Sequence, residues 1–135
     1  MELTLRLPPA ADMELVAVRA AEIAGRSVGI GRDGLDAVGI AVAEAFLNAV
    51  EHGGGRDVEV RIRTESDAAG CGALVVEVED HGAGFDPGRD CPQRASGRLR
   101  RRGWGIRLMG ELVDDLSIES RPGRTVVRLC KRREV

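Results

Sequence analysis

Glu44, Asn48 and His52 recur at every fourth position of Glu44-Ala45-Phe46-Leu47-Asn48-Ala49-Val50-Glu51-His52. On an α-helix that spacing stacks them on one ridge, each about 6 Å further along the axis. A carboxylate and a carboxamide on one ridge suit a general base and an oxygen ligand for a hard cation such as Mg²⁺. By itself such a ridge is more often the solvent-facing side of an amphipathic helix, so its meaning depends on what accompanies it.

Two glycine-containing segments accompany it. In Asp80-His81-Gly82-Ala83-Gly84-Phe85 the carboxylate is an acceptor for a donor such as an exocyclic amine, and the glycines let a flat ring or the backbone come close. An ordinary strand-to-loop turn favours the same residue types. Gly103-Trp104-Gly105-Ile106-Arg107-Leu108-Met109 reads as the entry to a helix, where unpaired N–H groups form an anion site and glycines admit phosphates. It contains neither Gly-Lys-Ser/Thr nor the Gly-x-Gly-x-x-Gly of a dinucleotide site. Between the two segments stand Arg89, Arg94, Arg98, Arg100, Arg101 and Arg102. A charge run is usually solvated, but one in this place could close over a polyphosphate as a lid.

The rest of the chain supplies elements to hold these residues. Glu2 to Leu7 alternates as a half-buried strand, ended by Pro8 and Pro9. Asp12 suits the N-cap of a helix to about Gly25, with Met13, Val16, Ala17, Ala20, Ile23 and Ala24 as its inward stripe. The ridge helix follows a Gly25–Gly31 turn, turns Leu35, Val38, Val42, Ala45, Phe46 and Ala49 inward, and stops at Gly53-Gly54-Gly55. Val58–Thr64 and Ala73–Glu79 read as a hairpin. Residues 86–102 carry no apolar periodicity and several Pro, Gly and Arg residues, so they read as a mobile loop. A helix from about Gly105 to Val113 and a second hairpin around Pro122-Gly123 (Leu116–Ser120, Thr125–Lys131) complete the chain. The pattern predicts a single α+β domain over 1–135, a two-layer sandwich of a mainly antiparallel sheet with helices on one face.

Composition narrows the function further. A length of 135 residues allows one real core. A net charge of −2 argues against nucleic acid or an anionic membrane, and aromatics at 2% argue against base-stacking platforms. Cys71, Cys91 and Cys130 are odd in number and widely spaced, which disfavours a disulfide framework or a structural zinc site. No apolar run has membrane-spanning length and the start lacks a leader pattern, so the expected location is the cytoplasm.

Glu-x-x-x-Asn-x-x-x-His, then Asp-x-Gly-x-Gly-Phe, an arginine-rich loop, then Gly-x-Gly-x-x-Leu-Met resembles the N, G1 and G2 boxes of the GHKL ATPases. Ala43 to Gly53 and Leu108 to Ile118 look more narrowly like the anti-sigma-factor serine-protein kinases of the RsbW and SpoIIAB type. The resemblance covers nearly the whole chain and implies the histidine-kinase-like ATPase (Bergerat) fold, with 86–102 as the ATP lid. It implies ATP and Mg²⁺ as cofactors, with Asn48 as the metal ligand. Asp80 would hold the adenine amine, Gly82 and Gly84 would shape the base pocket, and Thr125 would be their polar neighbour. Gly103 and Gly105 would receive phosphates, helped by Arg102 or another lid arginine, and Glu44 would be the catalytic base. No chemical role follows for His52, while His81 and Trp104 depart mildly from the family's usual residues. The implied function is an anti-sigma factor that binds a sigma factor and phosphorylates a STAS-domain antagonist on serine, as a possible homodimer. The alternatives are a partner-switch module that binds ATP without kinase activity, or a stand-alone histidine-kinase-like domain in a signalling relay. The latter must find its phosphoacceptor elsewhere, because His52 and His81 both lie within the boxes.

Overall fold

The structure is a computed structural model that describes residues 1–66, 68–69, 72–82 and 97–134, of which 97–104 by backbone alone. The elements are β1 (Glu2–Leu7), α1 (Met13–Ser27), α2 (Arg32–His52), β2 (Val58–Ser66), β3 (Gly72–Asp80), α3 (Gly97–Leu112), β4 (Asp115–Arg121) and β5 (Arg124–Arg132). Their order is the expected one. The strands form one sheet in the order β1-β2-β3-β5-β4, every pair antiparallel. Three helices pack on one of its faces, giving the predicted α+β layers. No described helix is long and apolar enough to cross a membrane.

Strand alternation decides which face is covered. Val58, Val60 and Ile62 of β2, Leu74, Val76 and Val78 of β3, and Val127 and Leu129 of β5 are buried in one core cluster with α2. The six residues expected on the inward stripe of α2 are all buried, joined by Ala41 and Asn48. Phe46 is fully buried at the centre. Its replacement by Ala would leave a cavity costing about 3–5 kcal/mol.

α1 is turned differently from the expectation. Ala17, Ala21, Ala24 and Gly25 are buried, whereas Val16 and Ile23 are 41% and 52% exposed. The reason is space. α1 packs against both α2 and the sheet, and a surface of alanines and one glycine allows the close approach that larger side chains would prevent. A Cβ on Gly25 would stand only 2.8 Å from Leu35 Cδ2. Asp12 occupies the N-cap position but in left-handed conformation, without a side-chain capping bond.

α3 starts earlier than expected, at Gly97 and not at Gly105. Residues 97–102 of the expected loop are therefore helical, and 86–96 lie outside the described residues. Arginine and leucine are good helix formers, and Gly97 to Leu112 contains no proline. Four glycines, at 97, 103, 105 and 110, oppose that propensity, and the segment gives no apolar periodicity to read.

The opposite face of the sheet is tied by charge. Arg61 on β2 donates to Glu79 on β3 at 3.1 Å, and Arg124 on β5 donates to the same oxygen at 3.0 Å. His81 Nε2 lies 3.1 Å from the other oxygen of Glu79. Burial alone would raise the Glu79 carboxyl, but the hydrogen bonds and charges of Arg124 and Arg61 outweigh it and hold it below its ordinary value of 4.5. A lowered carboxyl contributes stability that is present above the unfolded value and lost as pH falls through the folded one. Glu79→Gln should therefore cost roughly 1–2 kcal/mol at pH 7, a figure reduced for the partly exposed guanidiniums. Urea unfolding at pH 7 and below pH 4 checks this: the gap between variant and wild type should close in acid. An equal gap at both pH values would assign the loss to packing.

Candidate functional site

The ridge of α2 is not the solvated face its spacing suggested. Glu44 and His52 are half-buried and Asn48 is only 7% exposed. α3 covers them. A Cβ built on Gly105 would lie 2.6 Å from Glu44 Oε2 and 3.9 Å from Asn48 Nδ2, so the missing side chain of Gly105 lets α3 rest on the carboxylate. The helix places Gly105 and Gly103 in its interior, beyond the first four N–H groups that an α-helix leaves free. The open anion site expected at these glycines is absent from this conformation.

At the C-terminal end of α2, the end of β3 folds back against the helix. An ideal Cβ on Gly82 would overlap the His52 carbonyl oxygen at 1.6 Å, and Gly53 Cα is 2.8 Å away. Only glycine fits at Gly82. Its N–H donates to Asp80 Oδ1 at 3.0 Å, and its carbonyl accepts from Gly123 in the β4–β5 turn at 2.9 Å. Asp80 is thereby fixed on the helix-facing side of the sheet, 3% exposed. Burial pushes its carboxyl above the ordinary value of 3.8, opposed by the Gly82 N–H and by the nearby His52 and His81 rings. The Gly82 bond is its one hydrogen bond among the described residues. A buried carboxylate with acceptor capacity left over is what an exocyclic amine would complete.

Thr125 stands opposite Asp80 in the β3–β5 register and is 1% exposed. Ser120 pairs with Thr125 across β4–β5, with their hydroxyl oxygens 2.7 Å apart.

The structure thus brings Asp80, Gly82 and Thr125 together at one end of the sheet, and Glu44, Asn48 and Gly105 together between α2 and α3. Gly84 lies outside the described residues. Arg102 and Gly103 are placed within α3, and the side chains of Arg102 and Trp104 lie outside the described set. Among the described residues no three His, Cys, Asp or Glu side chains cluster as a metal site. A cleft of about 380 Å³ lined by residues 29–34 and 131–134 lies at the far end of α2, away from this chemistry.

Sequence reasoning missed two features. Gly105 is the seat for Glu44, which no local signal announces. Ser120 could have been found: Leu116, Ile118 and Ser120 alternate on the inner face, and the two-residue Pro122-Gly123 turn, with Gly123 at φ +91°, registers Ser120 against Thr125.

Comparison with known proteins gives a family and a shared fold. The histidine kinase-like ATPase domain family matches residues 8–131. Two solved structures share the fold. One is the SiaB–SiaC complex from Pseudomonas aeruginosa, at 14% identity and TM-score 0.58, covering 96% of this chain and 89% of that one. The other is the histidine kinase domain of the blue-light activated histidine kinase from Erythrobacter litoralis EL346, at 21% identity and TM-score 0.51, covering 95% and 67%. No curated protein matches the chain. With its ridge, its buried Asp80 and its layered fold falling almost wholly within the matched residues, the chain belongs to the histidine kinase-like ATPase domain family.

Proposed function

We propose that this domain binds ATP with Mg²⁺ and transfers phosphate to a serine of a partner protein. In the finer reading it is a cytoplasmic anti-sigma factor that binds a sigma factor and phosphorylates a STAS-domain antagonist. Membership of an ATPase-domain family implies ATP binding. The observation that carries the reading is Asp80, a buried carboxylate that among the described residues accepts only the Gly82 N–H, beside a glycine-only approach.

The residues present fit the nucleotide. Asp80 would accept from the adenine amine, with Thr125 beside it. Asn48 would offer its amide oxygen to Mg²⁺, as hard cations prefer. Arg102, Gly103, Gly105 and, from the undescribed segment, Gly84 complete the proposed binding set. Bound Mg²⁺–ATP would supply a charge-neutralised, transferable phosphoryl group.

The other steps belong to the chain. A serine hydroxyl is a weak nucleophile at neutral pH and needs a positioned base. Glu44 stands one helical turn before Asn48 and would be the base that takes the hydroxyl proton. α3 lies over this ridge, so admitting a nucleotide requires its first turns to move off Glu44. The likeness to a chain solved within a two-protein complex supports a domain that works bound to a partner.

The test is to isolate the protein from its own cells with its partners and incubate the complex with labelled ATP. Label on a partner serine is the expected outcome. Label on histidine would favour the sensor-kinase relay, and ATP binding without transfer would leave a partner-switch module.

A further inference from the structure

β1 is an edge strand: among the described residues it is paired with β2 alone. The Thr64 N–H donates to the Met1 carbonyl, and the antiparallel register runs unbroken from there to Leu7. The odd-numbered residues of β1 therefore turn their backbone groups to β2, and Glu2, Thr4 and Arg6 point theirs at the open edge. Proteins ordinarily blunt such an edge with a proline, a bulge or an inward-pointing charge. Between Glu2 and Leu7 there is none of these, and the helix-side residues are Leu3, Leu5 and Leu7.

The apolar surface continues onto α1. A Cβ on Gly39 of α2 would stand 3.3 Å from Val18 Cγ1, so Val18 faces α2. Val16, Ala20 and Ile23 then occupy the flank of α1 turned away from α2, toward the β1 side of the sheet. Met1, Leu3, Val16 and Ile23 are all exposed, whereas the other edge strand, β4, exposes no large apolar side chain.

Two copies of β1 are complementary to each other. Laid antiparallel about a two-fold axis at Thr4, Glu2 falls opposite the second copy's Arg6, Leu3 opposite Leu5, and Thr4 opposite itself. The parity is right as well, since the residues brought opposite through their backbones are those whose N–H and C=O groups face the open edge. Sliding the strands by two residues keeps that parity but sets Glu2 or Arg6 against Thr4 and breaks the charge pairs.

We propose that β1 is a self-recognition edge: a second copy of this chain adds its β1 to this one, and the two Glu2–Arg6 pairs fix the register and select an identical chain. The two sheets join into one, and the α1 flanks carrying Val16 and Ile23 close over the Leu3–Leu5 contacts. This assigns a surface, a register and a selectivity, and it does not depend on nucleotide binding.

The experiment is sedimentation velocity of the full chain at micromolar concentration, where wild type should run as a dimer. Glu2→Arg and Arg6→Glu each set like charges opposite one another at both pairs, so each should weaken self-association by about 10-fold or more. Mixed in equal amounts, the two variants present Arg against Glu at both pairs and should recover the dimer. The intrachain neighbours Arg63 and Glu59 are unchanged by mixing, so recovery reports the contact between copies. Thr4→Pro removes an N–H that faces the open edge and spares the β1–β2 ladder. That variant should stay folded by circular dichroism and become monomeric. A wild-type monomer would overturn the proposal. So would charge variants that dimerise alone, a mixture that stays monomeric, or a folded Thr4→Pro dimer.

Discussion

Glu44→Gln is expected to lower phosphoryl transfer to the partner by roughly 10²–10⁴-fold, the usual contribution of a positioned general base. Glutamine keeps the shape and hydrogen-bonding reach of the side chain but cannot take a proton. Glu44 is half-buried beneath Gly105, so an isosteric neutral amide should leave α3 seated and stability little changed. Nucleotide and partner affinity should stay near wild type, which separates loss of chemistry from loss of binding. The check is single-turnover transfer from labelled ATP, run beside nucleotide titration of the same sample. Full transfer by Glu44→Gln would remove Glu44 from the mechanism.

Asp80→Asn should reduce ATP affinity by about 10- to 100-fold, the value of a hydrogen bond to a charged acceptor in a buried site. The variant should be at least as stable as wild type, because burial holds the Asp80 carboxyl above 3.8. The sign follows directly. A raised carboxyl means that the folded protein binds the proton more tightly than the unfolded chain does, so ionised Asp80 disfavours folding at neutral pH. Binding runs the other way. Protonated Asp80 cannot accept from an amine in the same manner, so ATP affinity should fall with acidification at a pH above the ordinary Asp value. Thermal unfolding and a pH series of titrations check both halves. A wild-type profile that matches that of Asp80→Asn would mean that another group carries the pH dependence.

Much of this site was legible because two periodicities dominate the chain. The four-residue recurrence of Glu44, Asn48 and His52 and the period-two strands located α2 and all five strands within a residue or two. Alternation also made Asp80 a helix-facing residue at a strand end. Two things were not legible. The orientation of α1 depends on alanines fitting between α2 and the sheet, a matter of volume that a hydrophobic count ranks below Val16 and Ile23. The covering of the α2 ridge is a tertiary event: Asn48 has the residue type and spacing of a solvated position, yet it is buried where α3 crosses close by at Gly105. The early start of α3 was hidden for a related reason, since a helix without an apolar stripe gives no periodic signal.

The central claim is that the row at Asp80 and the ridge at Glu44 and Asn48 together form a nucleotide site. Calorimetric titration of the wild-type chain with ATP, with and without Mg²⁺, tests it most directly. The account predicts saturable one-to-one binding that Mg²⁺ strengthens and that GTP does not reproduce. No heat of binding at millimolar ATP with Mg²⁺, from a chain shown to be folded, would contradict it.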